Sequence, residues 1–87
     1  MEEDRSIEYR IKRMIVERLD LKIEPEDIED EEMLFGGGLG LDSVATLEIV
    51  VGLEEEFGIE VLDEELRVEL FDSVRSLADY VRKKKGI

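Results

Sequence analysis

Apolar residues recur along this chain at helical spacing, and the stretches where they do not read as connections. Ile7, Ile11, Ile15 and Leu19 repeat every four residues with Met14 beside them, which predicts a first helix from about Ser6 to Leu19 with one apolar stripe. Asp4 or Ser6 is placed to cap its start. A second helix is the clearest. It is expected from an N-cap at Asp42 or Ser43 to near Phe57, with Gly58 as its stop and Leu47, Ile49, Val50, Leu53 and Phe57 as its core stripe. A short third helix is expected from Asp63, with Leu66, Leu70 and Phe71 facing inward. A fourth begins at Asp72 or Ser73 and turns Val74, Leu77, Ala78 and Val81 to the core at i, i+3, i+4 and i+7. It closes on Lys83, Lys84 and Lys85, whose charges complement the helix dipole.

Between the first and second helices runs a long acidic connection, Ile23 to Leu41, with Pro25 as breaker and Gly36-Gly37-Gly38-Leu39-Gly40 as a flexible close. An unattached loop of that length would be unusual, so Ile23, Ile28, Met33, Leu34, Phe35 and Leu39 are expected to pin it over the core. Ile59 to Leu62 could form a strand, but a single strand has no partner to pair with. The helical period dominates. The expected fold is all-α, a single domain spanning residues 1–87: a small bundle of three main helices plus one short helix, with the long acidic loop between helices 1 and 2.

Composition sharpens this picture. A chain of 87 residues that is 43% apolar can build one modest core and does not read as disordered. Without cysteine it has no disulfide framework, no thiolate metal site and no thiol nucleophile. Without histidine it lacks the Ser-His-Asp triad and the commonest transition-metal ligand. The formal charge is −13, from 25 acids and 12 bases, so a nucleic-acid backbone or an anionic membrane would repel it and a basic docking patch would attract it. The charges are segregated: Ile23 to Leu66 holds 16 Asp and Glu and no Lys or Arg, while the bases sit toward the two ends. No apolar run approaches bilayer length, and Met1-Glu2-Glu3-Asp4 is the reverse of a signal peptide's basic start. The expectation is therefore a soluble, cytoplasmic, monomeric protein.

Conventional catalysis is poorly supplied, because carboxylates abound but no nucleophile–base pair stands out. The run from Glu24 to Glu32 invites a calcium reading but fails EF-hand spacing, which needs a glycine at the sixth loop position and a glutamate at the twelfth. The Gly36–Gly40 run lacks the Lys-Ser/Thr that completes a phosphate-binding P-loop. No metal site and no catalytic residue is assigned.

That leaves Ser43. On its own, a serine following an aspartate at a helix start reads as an N-cap. Its setting says more. Gly40-Leu41-Asp42-Ser43-Val44 leads into Ala45-Thr46-Leu47-Glu48-Ile49-Val50-Val51-Gly52-Leu53-Glu54-Glu55-Glu56-Phe57, and the whole strongly resembles the acyl carrier proteins, whose modified serine lies in a Gly-x-Asp-Ser-Leu setting. The resemblance extends to a first helix, an acidic loop, a short third helix after Ile59-Glu60-Val61, and a closing helix led by Phe71-Asp72-Ser73-Val74. It implies a carrier, not an enzyme. A separate phosphopantetheinyl transferase (holo-carrier synthase) would move 4′-phosphopantetheine from coenzyme A to Ser43, and the arm's thiol would hold acyl groups as thioesters for fatty-acid or polyketide-type biosynthesis. The serine is then a substrate, which accounts for the absence of an activating base.

The resemblance also implies that acids on the second helix pair with Lys and Arg of acyl-transfer and chain-elongation enzymes. Asp42, Glu48, Glu54 and Glu55 are the candidate acids, with Val44 and Val51 as apolar contacts. With Ile49, Val50, Leu53 and Phe57 inward, Val44, Glu48, Val51 and Glu55 line the other side at i, i+4, i+7 and i+11. Each acid taken singly reads equally well as solvated surface. The chain departs from the family pattern at Val44, where leucine is usual, at Ala45, where fatty-acid carriers commonly have an acid, and at Gly52, which costs about 1 kcal/mol against alanine inside a helix. The Asp-Ser-Val setting resembles acyl more than peptidyl carriers, which favours acyl over aminoacyl cargo. From a different class, the alternative is an acidic helical interaction module that is never modified.

Overall fold

The computed structural model describes residues 6–34 and 42–86, except for the side chain of Ser43. Three α-helices form the frame: α1 (Ile7–Arg18), α2 (Ser43–Phe57) and α3 (Val74–Lys85). Among the described residues there is no strand; short 3₁₀ turns occur at Pro25–Asp27, Asp63–Glu65 and Val68–Phe71. The all-α bundle is as expected, with one refinement. The short third helix resolves into the last two of these turns, separated at Leu66 and Arg67 by extended backbone. Leu66, expected to face inward, is 42% exposed because it falls in that break, while Phe71 is buried.

Each main helix starts on a side-chain oxygen that accepts a first-turn amide. Ser6 accepts from Tyr9 N, Asp42 from Ala45 N and Ser73 from Ser76 N. Such a cap contributes about 1 kcal/mol. α2 and α3 end on Gly58 and Gly86, both left-handed. α1 ends less comfortably, because Asp20 holds φ 53° there, a conformation that L-residues other than Asn and Asp rarely tolerate.

α1 packs against both α2 and α3. Their shared core is Ile11, Met14 and Ile15 from α1, Ile49, Leu53 and Phe57 from α2, and Val74, Leu77, Ala78 and Val81 from α3. The acidic connection is fastened to it as expected at Ile28 and Leu34, both fully buried, and Ile23 packs at the edge. Backbone bonds hold it to the start of α3: Arg75 N donates to Asp30 O at 2.8 Å and Leu34 N to Asp72 O at 3.1 Å. Met33, also expected to pin the loop, is instead 59% exposed. Phe35, Leu39, Leu41, the glycine run and Asp4 lie outside the described residues.

The acids do structural work as well as carrying charge. Asp27 accepts from Glu24 N, Glu32 from Glu29 N and Glu65 from Leu62 N, so three turns of the acidic stretches are closed by a carboxylate three residues on. At the C-terminal end of α2, where carbonyls lack helical partners, Arg10 donates to Glu56 O and Lys85 to Phe57 O, each at 3.0 Å. The Arg10 guanidinium also lies over the Phe57 ring, 4.6 Å from its centre. The bases of α1 and α3 thus close the end of the acidic helix.

Candidate functional site

The start of α2 is built by two adjacent residues with separate tasks. Asp42 takes the extended N-cap conformation, its Oδ1 accepting from Ala45 N at 3.1 Å, while its carbonyl accepts from Thr46 N at 3.2 Å. Ser43 is the first residue of the helix proper. Since the aspartate supplies the cap, the serine is not required for it. First-turn amides point out of a helix start and carry its partial positive charge, an arrangement that favours a phosphate ester there. Asp42 and Val44, on either side of Ser43, are both exposed. The residues present fit a phosphodiester-linked group.

Four of the residues expected to meet a partner, Val44, Glu48, Val51 and Glu55, share the outward face of α2 with one residue not expected there. Val44 is 67% exposed, and Glu48, Val51 and Glu55 are exposed in line with it. Leu47, assigned from sequence to the core stripe, is 66% exposed and joins Val44 and Val51 on this face. The reason is rotation: at 3.6 residues per turn Leu47 stands about 160° round the helix from Ile49. The position that completes the core stripe is Ala45, which is buried, with Ile49 and Leu53 one and two turns on. An acid at residue 45 would have faced the core, so the departure there reflects how this helix is seated. Val50 is partly buried.

The candidate acids differ in what they already hold. Glu48 receives Arg18 Nη1 at 3.0 Å, and Glu55 receives Arg18 Nη2, so one guanidinium from the last turn of α1 spans both. Glu54 accepts from the backbone N–H of Val61 at 3.0 Å and latches α2 to the segment that follows it. Asp42 spends one oxygen on its cap. Arg18 drew no attention in the sequence, because nothing in a one-dimensional pattern sets it opposite residues 48 and 55. Gly52 supplies the signal in retrospect. It lies between those glutamates on α2, and a Cβ there would fall well inside contact distance of Met14 Sδ and 2.8 Å from both Met14 Cγ and Arg18 Cδ.

Away from this face, Glu65 accepts from Leu62 N, from the Tyr80 hydroxyl at 2.7 Å and from Lys84 Nζ at 3.1 Å. The Leu62 amide, followed by Tyr80 and Lys84, holds its carboxyl at about 2, well below its ordinary 4.5. Burial pushes the Tyr80 hydroxyl up, and the Glu65 carboxylate it bonds adds to the shift. Both groups belong to the fastening of the 3₁₀ turns onto α3. Among the described residues no cluster of three or more acids is placed to hold a metal ion, and no helix is long and apolar enough to cross a membrane.

Comparison with known proteins bears on the chain as a whole. A family model described as "Phosphopantetheine attachment site" matches residues 10–81, most of the chain. Among solved structures, the holo acyl carrier protein from Nitrosomonas europaea superposes with a TM-score of 0.81 at 26% identity, covering 92% of this chain and 96% of that one. A chain in the crystal structure of an engineered Bradyrhizobium japonicum glycine:[carrier protein] ligase complexed with carrier protein from Agrobacterium tumefaciens and ATP matches with a TM-score of 0.75 at 28% identity. It covers 88% of this chain and 97% of that one. The corresponding complex with AMP gives a TM-score of 0.74 at 29% identity, over 86% of this chain and 97% of that one.

Proposed function

The chain belongs to the phosphopantetheine-attachment family of carrier proteins, and from that membership we propose that Ser43 bears the arm and that the cargo is a fatty-acyl or polyketide-type acyl group. As a family member the protein is a non-catalytic carrier with covalently attached 4′-phosphopantetheine. The arm supplies the thiol on which acyl groups ride, chemistry that a chain without cysteine cannot provide itself.

The observation that carries the Ser43 assignment is the division of labour at the start of α2. Asp42 caps the helix, and the next residue is left as the first of fifteen in a helix whose amide dipoles favour an attached phosphate. Docking is assigned to the face below it. Val44, Leu47 and Val51 give an apolar ridge, Glu48 and Glu55 flank it, and Asp42 stands at its top beside Ser43. Glu54 supports this face by holding Val61 in place. Charges of this kind steer and orient an incoming basic enzyme more than they bind it.

A second reading concerns cargo alone. The similarity to a chain of the glycine:[carrier protein] ligase complexes favours an aminoacyl group on the same arm. The test takes the purified protein with coenzyme A, Mg²⁺ and a broad-specificity phosphopantetheinyl transferase. One arm's mass is gained by the wild type and none by Ser43→Ala. An unchanged wild-type mass beside a competent control carrier would favour an unmodified acidic interaction module. Offering the holo protein to a malonyl transferase and to an aminoacyl:carrier ligase then separates the two cargo readings.

A further inference from the structure

The acids that face a partner on α2 are already engaged from within the molecule. Arg18 leaves the last turn of α1, and its stem passes over Gly52, the one position on α2 where the lack of a Cβ makes room for it. Its guanidinium then forks, Nη1 to Glu48 Oε1 at 3.0 Å and Nη2 to Glu55 Oε1. Glu48, Gly52 and Glu55 are four and three residues apart, so they share one strip of the helix surface. The glycine is costly for a helix, and the room it leaves for Met14 and for the Arg18 stem is the physical return. The strip thus offers a net charge of about −1 in place of the −2 its two carboxylates would give, by the ordinary ionisation of these groups.

We propose that Arg18, seated on Gly52, is a specificity-determining residue of the docking face: it acts as an internal stand-in for a partner's cation. A strongly basic partner must exchange its own Lys or Arg for Arg18 before it can use Glu48 and Glu55. An enzyme surface with an apolar patch for Val44, Leu47 and Val51, and few cations, meets no such competition. The carrier is thereby biased toward partners that read the ridge rather than the charge. This rests on the assignment of the α2 face as the docking surface.

The experiment measures kcat/KM for phosphopantetheine transfer by a basic transferase at low and at high salt, with wild type, Arg18→Gln, Arg18→Lys, Lys22→Gln and Glu48→Gln/Glu55→Gln. Lys22 is an exposed base near Arg18 in sequence whose paired acid, Asp20, lies off the α2 face, so its loss changes net charge alone. Arg18→Gln is expected to raise low-salt kcat/KM by about threefold, the scale of a released surface ion pair, and Lys22→Gln by much less. Arg18→Lys keeps the net charge but cannot fork to two carboxylates, and is expected to give an intermediate rise. The gain should disappear in the double glutamine background and at high salt. Equal effects of Arg18→Gln and Lys22→Gln, or a gain that survives loss of both glutamates, would overturn the proposal. If the double glutamine variant alone reacts at the wild-type rate, the docking reading itself falls. If that variant is slow while Arg18→Gln is neutral, only the role of Arg18 falls. Melting curves on every variant confirm that rates are compared between folded proteins.

Discussion

Replacing Gly52 with alanine should destabilise this protein, the reverse of what helix propensity dictates. An exposed helical glycine replaced by alanine gains about 1 kcal/mol. At Gly52 the new methyl would press into Met14 and meet Arg18 Cδ at 2.8 Å, and Met14 is itself buried in the α1–α2 contact. Overpacking of this kind costs about 1–3 kcal/mol, so the balance is a net loss of up to about 2 kcal/mol. In a domain of this size each 1 kcal/mol moves the melting temperature by about 4–8 °C, well within reach of circular dichroism melts. The partner experiment removes the nearer of the two obstacles. Met14→Ala alone should cost about 2–5 kcal/mol, and Gly52→Ala added to it should recover up to about 1 kcal/mol as the methyl enters the vacated space and only the flexible Arg18 stem has to shift. Both backgrounds can be kept folded in sodium sulfate and compared there by urea titration. A stabilisation by Gly52→Ala of about 1 kcal/mol in the wild-type background would refute the close approach described here.

Other outcomes follow from the same structure. Asp42→Ala should lower stability by about 1 kcal/mol, whereas Ser43→Ala should leave it nearly unchanged, since Asp42 makes the cap; thermal melts of the two variants check this. The carboxyl of Glu65 titrates at about 2 in the folded protein against 4.5 ordinarily, so its contribution is present above pH 4.5 and is lost as the pH falls from there toward 2. Glu65→Gln should therefore flatten the acid limb of a melting-temperature profile, and an unchanged limb would count against the three-donor arrangement. With 16 acids and no bases between Ile23 and Leu66, sodium chloride or millimolar Mg²⁺ should raise the melting temperature, and indifference to both would show that this charge does not strain the fold.

The frame was legible from spacing alone because each main helix carries its own stripe and its own cap. Ile11 and Ile15, and Val74, Leu77, Ala78 and Val81, are buried where the periodicity put them. The family was legible in the motif around Ser43 because the residues from Gly40 to Phe57 resemble the acyl carrier proteins, whereas the choice between Asp42 and Ser43 as the cap needed the fold, which gives it to Asp42. What failed to show were features set by the rotation and neighbours of a helix. Leu47 looked like core because it is leucine, yet the stripe that seats α2 runs through Ala45, a residue too small to announce itself. Leu66 looked like core because a continuous helix would have turned it inward, and the break between two 3₁₀ turns does not. Gly52 stood out as an anomaly, but its cause lies on α1, in Met14 and Arg18, thirty and more residues away. The fork from Arg18 to Glu48 and Glu55 is invisible to any reading that treats acids by their number.

Mass spectrometry of the protein recovered from its own host, on the peptide that contains Ser43, tests the central claim most directly. The account predicts a fraction bearing one phosphopantetheine on that residue, with the cargo readable as the mass beyond it. A peptide found only unmodified, from cells whose other carriers are loaded, would contradict it.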